Sequence, residues 1–193
     1  ELDVKATFKS LLEMHGQIDV LHHNVGIGKT GGPIETSAED LDRIHAVNVK
    51  SLMLCCQQVL PSMVERRTGS IISIASVAGI RYVGYPHLAY STTKAAVVQM
   101  TKMIAQQYAD KGVRANSVVP GLIDTPRIAV NVAHAFADSL EEAKAARSKQ
   151  VPMKRMGTPW EVANACAFLA SDAASYITGA ELIVDGGLTG KYA

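Results

Sequence analysis

Residues 70–94 read SIISIASVAGIRYVGYPHLAYSTTK, and this stretch decides the fold class. Ser70 to Ala75 is a β-branched apolar run entered through Thr68-Gly69, the composition of a strand buried on both faces. Ser76 stands just past its carboxyl end. After a loop holding Gly79, Gly84 and Pro86, Tyr90-Ser91-Thr92-Thr93-Lys94 opens a helix that continues to about Asp110 on Ala95, Val97, Val98, Met100, Ile104 and Tyr108. Tyr90 and Lys94 are four apart, so on that helix they share one face, one turn from each other. A free phenol has a pKa of about 10 and is a poor proton acceptor at neutral pH; a nearby cation favours the phenolate. Alone, the Tyr-x-x-x-Lys spacing is a weak signal, and its company gives it weight.

Working outward, the same alternation recurs. Leu2, Phe8, Leu11 and Leu12 repeat at helical spacing up to His15-Gly16, and Ile18-Asp19-Val20-Leu21 then reads as a short buried strand. Ser37 with Asp40 resembles a capping box. The helix it starts runs through Leu41, Ile44 and Val47 toward Leu60-Pro61, broken or bent on the way. It carries Asn48 in its middle, where an amide that competes for backbone hydrogen bonds calls for a reason. Val113 to Val119 is a third strand closed by Pro120-Gly121. The alanine-rich and charged stretch 126–152 is either a cover over a pocket at that strand end or a solvated helix pair. Thr158-Pro159-Trp160-Glu161 begins a further helix with Val162, Ala165, Cys166, Phe168 and Leu169, and Glu181-Leu182-Ile183-Val184 is a last strand. Strands alternating with helices predict a mainly parallel sheet covered on both faces, with ligands outside the strands' carboxyl ends, where Ser76 lies.

Composition narrows the class. The 193 residues, 48% hydrophobic and 19% charged, suit one globular domain. A net charge of +1 with scattered lysines and arginines argues against nucleic acid as a partner, and Arg66-Arg67 reads as a solvated helix end. Cys55, Cys56 and Cys166 form no Cys-x-x-Cys pair and read as packing residues in a reducing compartment. No apolar run is long enough to span a bilayer and no signal segment stands at the front, so the expected location is cytoplasmic. The chain opens at Glu1, already inside a helix, which leads to the expectation that upstream residues have been lost or are not given.

Two patterns in the loop after the first strand are set aside. Gly26-Ile27-Gly28-Lys29-Thr30-Gly31 satisfies a dinucleotide-type glycine pattern and ends like a phosphate loop. The latter needs a glycine where His23 stands; the former needs a helix on its glycines, whereas Gly32-Pro33 follows. A flexible loop is the reading. His22-His23 lacks a third convergent ligand for zinc, so no metal is expected.

Taken together, these motifs resemble the classical short-chain dehydrogenase/reductase family over essentially the whole chain. Gly69 to Gly79, with Ser76 before Val77-Ala78-Gly79, resembles its serine motif, and Tyr90 with Lys94 its tyrosine–lysine motif. Pro120-Gly121-Leu122-Ile123-Asp124-Thr125 is similar to its Pro-Gly-x-x-x-Thr element. Ile177-Thr178-Gly179 through Val184-Asp185-Gly186-Gly187 is similar to its closing segment, and Asn48 in Val47-Asn48-Val49 to its helix asparagine. The resemblance implies a Rossmann-like doubly wound parallel sheet and an NAD- or NADP-dependent oxidoreductase that interconverts a secondary alcohol and a carbonyl or 3-oxoacyl group. It implies that Tyr90 exchanges a proton with the substrate oxygen, Ser76 hydrogen-bonds that oxygen, and Lys94 supports the phenolate and holds the nicotinamide ribose. Asn48 would hold a water linking Lys94 to solvent. Asn24, Val25 and Gly26 would contact the adenosine side, and Pro120, Gly121, Ile123 and Thr125 the nicotinamide. Tyr82, Tyr85, His87 and the segment 126–152 are expected to line the substrate pocket.

Two departures from the family pattern stand out. His23 replaces the first asparagine of Asn-Asn-Ala-Gly, and the amino-terminal Thr-Gly-x-x-x-Gly-x-Gly, which would carry the pyrophosphate, does not occur in the 193 residues. The expectation is therefore a partial domain, its strand at Ile18 left as an exposed apolar edge. The competing reading is a truncated, catalytically inactive chain acting as a binding or subunit module. Homo-oligomers are expected through the Leu41 to Leu60 and Tyr90 to Tyr108 helices and the final strand.

Overall fold

The computed structural model describes residues 1–126 and 139–191. Four strands, β1 (Val20–His23), β2 (Gly69–Ile74), β3 (Val113–Pro120) and β4 (Glu181–Val184), lie parallel and side by side in chain order. Parallel neighbours need crossovers, and helices supply them. These are α1 (Leu2–His15), α2 (Ala38–His45), α3 (Ser51–Arg66), α4 (Leu88–Tyr108), α5 (Leu140–Gln150) and α6 (Pro159–Ala170). The pleat sends alternate strand residues to opposite faces. Ile71, Ala75, Val113, Ala115 and Val119 pack with Leu52, Val59 and Met63 of α3 and with Val97 and Ile104 of α4. On the other face Ile72, Ile74 and Val118 meet Cys166 and Leu169 of α6. The predicted Rossmann-like sheet covered on both faces is what the chain forms.

Several boundaries differ from expectation for identifiable reasons. β1 begins at Val20 rather than Ile18, because the Ile18 carbonyl accepts from Arg66 at 2.9 Å and Asp19 pairs with Arg66 at 2.7 Å. Arg66 is thus a clamp on the entry to β1, not a solvated helix end. Arg67 turns left-handed (φ 55°) to close α3. That helix continues past Pro61, carried by the buried Val59, Leu60 and Met63, since packing outweighs local propensity. Its expected bend has a specific form: Ala46–Lys50 is a π-turn inserted between α2 and α3.

The edges of the sheet are β1, with Val20 exposed and Leu21 and His23 buried, and β4. Ser37 caps α2 and Thr158 caps α6 in a complete capping box with Glu161. Of the stretch 126–152, residues 127–138 lie outside the described residues; 140–150 form α5, whose Ala143 and Leu140 pack on Met156 and Leu122 beyond the end of β3. The three cysteines are free thiols, and burial pushes Cys56 up to about 12. Among the described residues no helix is long and apolar enough to cross a membrane.

Candidate active site

The carboxyl ends of β1 and β2, the π-turn and the first turns of α4 converge on Lys94. Its side chain is 3% exposed, and its Nζ donates to the carbonyl of Ile74, the last residue of β2, at 2.7 Å. The same ammonium lies 5.7 Å from the centroid of the Tyr90 ring. The loop after β1 closes the other side: a Cβ on Gly26 would stand 3.0 Å from Lys94 Nζ and 3.6 Å from Asn48 Oδ1, a tight approach of the loop backbone to the lysine. Ser76 lies in extended backbone (φ −170°) just past β2, and its Oγ accepts from the Ala78 N–H at 3.2 Å, capping a short 3-10 turn, Val77–Gly79. That turn rests on α4 so closely that a Cβ on Gly79 would be 2.7 Å from the Ala95 nitrogen and 2.8 Å from the Lys94 carbonyl carbon. Ser76 and the Tyr90–Lys94 pair are therefore carried on one strand end and one helix start that pack against each other at Gly79.

Asn48 now has its reason. It is fully buried in the π-turn, where its Oδ1 accepts from the Ile27 N–H at 2.8 Å and its Nδ2 donates to the Ile27 carbonyl at 2.9 Å and to Thr93 Oγ1 at 2.9 Å. The amide thus reproduces a strand-like pairing with Ile27 and fixes the loop over Lys94. Thr93 in turn donates to the carbonyl of Ala89 or Tyr90 within α4.

His23, standing where the family pattern has asparagine, faces the same side of the sheet and is 3% exposed. Its Nε2 lies 2.9 Å from Ser51 Oγ, and that hydroxyl also donates to the Val47 carbonyl across the π-turn. Nε2 is therefore the donor to Ser51. Burial, then the charge of Lys94 and the neighbouring His22, lowers the imidazole to about 4. His22 is exposed and points away, as strand alternation requires. Among the described residues no group of three or more His, Cys, Asp or Glu side chains is placed to hold a metal ion.

The remaining predicted positions lie farther out. Asn24 and Val25 are exposed beyond β1. Pro120 ends β3, and Gly121 is held by its N–H on the Val184 carbonyl at 2.9 Å. Ile123 bridges Gly157, and Thr125 lines an open cleft of ≈ 290 Å³ with Asp124, Pro126, Leu140 and Lys144. Sequence reasoning missed Ile27, Thr93 and the Ile74 carbonyl. Thr93 carried a signal, a hydroxyl beside Lys94 inside a helix; backbone acceptors and donors carry none.

A tyrosine and a lysine one helical turn apart stand at the carboxyl ends of a parallel sheet with helices on both faces, the arrangement of a Rossmann-like fold. Known proteins agree. The family model described as enoyl-(acyl carrier protein) reductase matches residues 1–189. The 2-(R)-hydroxypropyl-CoM dehydrogenase of Xanthobacter autotrophicus is 40% identical over 193 residues, covering 98% of this chain and 74% of the relative. The 3-oxoacyl-(acyl-carrier-protein) reductase FabG of Thermotoga maritima is 37% identical over 186 residues, covering 96% and 72%. A short-chain dehydrogenase/reductase from Burkholderia xenovorans superposes with a TM-score of 0.92 at 37% identity, covering 98% of this chain and 72% of its own. ElxO with NADP bound gives 0.88 at 32% identity, covering 97% and 74%. The chain belongs to the short-chain dehydrogenase/reductase family.

Proposed function

We propose that this protein is an NAD(P)-dependent oxidoreductase interconverting a secondary alcohol and a carbonyl group, with Tyr90 as the proton-exchanging residue. The observation that carries the reading is the buried Lys94 ammonium, held on the Ile74 carbonyl at 2.7 Å and 5.7 Å from the Tyr90 ring. A cation in that place is positioned to stabilise negative charge on the phenol as its proton is exchanged. The named relatives support the substrate class, since one is a hydroxypropyl dehydrogenase and another a 3-oxoacyl reductase.

The residues fit a nicotinamide cofactor on the site's open side. The loop backbone at Gly26 comes close to the Lys94 ammonium, a Cβ there standing 3.0 Å from Nζ, which sets the loop after β1 and Lys94 side by side at the strand ends. Asn24, Val25, Gly26, Tyr90, Lys94, Pro120, Gly121, Ile123 and Thr125 are the residues that would hold it. When bound, the nicotinamide supplies or accepts the hydride. Ser76 accepts from Ala78 N–H, which directs its own proton outward to donate to the substrate oxygen as charge develops there. The Asn48 amide is engaged with Ile27 and Thr93, so a water relay to Lys94 would use Asn48's main-chain carbonyl in the π-turn rather than its side chain.

Self-association belongs to the same reading. Leu41, Met53 and Met103 on α2, α3 and α4 and Ile183 on β4 are exposed apolar residues on the elements expected to meet a second copy. Sedimentation as a lone protomer would count against it. For the activity, reduction of a panel of ketones and 3-oxoacyl thioesters is followed with NADH and with NADPH. Tyr90→Phe is expected to lower turnover at least about 100-fold, the scale of a lost general acid/base. An unchanged rate in that variant sinks the assignment.

A further inference from the structure

The glycine-rich loop after β1 is built closely against the tyrosine. Gly31 donates to the Pro86 carbonyl at 3.0 Å and its own carbonyl accepts from the Leu88 N–H at 2.9 Å, so Gly31 and His87 form a parallel bridge. Asn48 holds Ile27 from the other end. Gly28, between these two anchors, lies where an added Cβ would be 2.9 Å from Tyr90 Cδ2 and 2.9 Å from His87 Nε2. The loop backbone is thus in contact with the edges of both rings. The His87 imidazole stacks on the Tyr90 ring, with centroids 4.6 Å apart and planes 22° from parallel, and Tyr85 backs the imidazole at 5.4 Å. His87 is itself fixed as the residue before α4, its carbonyl accepting from Ser91 N–H at 2.9 Å.

We propose that Gly28 and His87 form a clamp on the Tyr90 ring, His87 acting as a positioning residue that sets the plane of the phenol. A phenolic O–H prefers the plane of its ring, so ring orientation determines the directions from which a proton can be exchanged with a substrate oxygen. Stacking resists tilting of the ring, and the glycine backbone against its edge resists rotation. A side chain at residue 28 would push both rings out of place. This assignment adds a task for two residues to the oxidoreductase reading and rests on it for its functional meaning.

The clamp is tested by a readout that needs no turnover. The full chain is labelled with ¹³C-ring tyrosine, and the Tyr90 signals are identified by their loss in Tyr90→Phe. Wild type and His87→Phe, which keeps a flat ring in the stack, are expected to show separate resonances for the two ring edges. His87→Ala is expected to merge them into one averaged signal. Averaged signals in wild type, or separate edges retained in His87→Ala, overturn the clamp. Gly28→Ala is the second variant, expected to shift the Tyr90 signals; unchanged signals there also overturn it. In the ketone assay His87→Ala should lose about tenfold to 100-fold in kcat with little change in KM, and His87→Phe should recover most of it, the scale expected of small misplacements. If Tyr90→Phe leaves reduction intact the oxidoreductase reading fails, while the ring signals still decide the clamp.

Discussion

Lys94 Nζ donates to the carbonyl of Ile74 at 2.7 Å, so the cation beside Tyr90 is fixed to the end of the strand that also delivers Ser76. Lys94→Met separates the electrostatic from the structural role of that contact. Removing a buried cation returns its desolvation cost, while the Ile74 carbonyl loses its donor, and the two oppose each other at about 1–3 kcal/mol. Stability in urea should therefore change by no more than about 1 kcal/mol, while the carbonyl reduction proposed above should fall at least about 100-fold.

Asn48 is a buried tie between three segments. Asn48→Ala removes all three hydrogen bonds and leaves both polar groups of Ile27 without this partner, at a cost of about 2–3 kcal/mol. Asn48→Asp keeps the acceptor for the Ile27 N–H but sets a carboxylate against the Ile27 carbonyl, and should cost at least as much. Urea denaturation measures both, and amide exchange at Ile27 should accelerate in each.

The imidazole of His23 makes stability pH-dependent. Its folded value of about 4 lies below the ordinary 6.5, so as pH falls the unfolded chain takes up the proton first. Its contribution levels off above about pH 6.5 and the fold loses roughly 3 kcal/mol on acidification toward pH 4. His23→Asn should flatten that part of the profile in urea titrations across the same range. An identical acid slope in the variant would assign the effect to other groups.

Gly79 is the contact point between the turn after Ser76 and α4. Gly79→Ala places a methyl against the backbone of Lys94 and Ala95, neither of which yields like a flexible side chain. Overpacking of this kind costs about 1–3 kcal/mol and would also displace Ser76. The thermal unfolding midpoint and the rate of the proposed ketone reduction should fall together.

Much of the architecture was legible because it rests on periodicity. The β-branched runs at Ile71 and Val113 marked the central strands within a residue or two, and Ser37 and Thr158 marked helix starts. Boundaries failed where a long-range contact decided them. Arg66 moved the start of β1, and buried Val59 and Met63 carried α3 past Pro61. At the site, Tyr90, Lys94, Ser76 and Asn48 were readable as side chains with a chemical identity. The loop at Gly26 to Gly31 was readable only as a loop; its pinning by Asn48 and by the Gly31–His87 bridge was not.

The sequence by itself determined the alternating α/β order and the one-turn spacing of Tyr90 and Lys94, because strand and helix periods are local properties of the chain. Only the tertiary structure decided that Lys94 meets the Ile74 carbonyl, that Asn48 grips Ile27 and that His87 stacks on Tyr90 beneath Gly28. The first two contacts run to backbone groups more than a helical turn away in sequence, and a peptide N–H or carbonyl is the same at almost every residue. The stack depends on a ring orientation that the packed loop imposes.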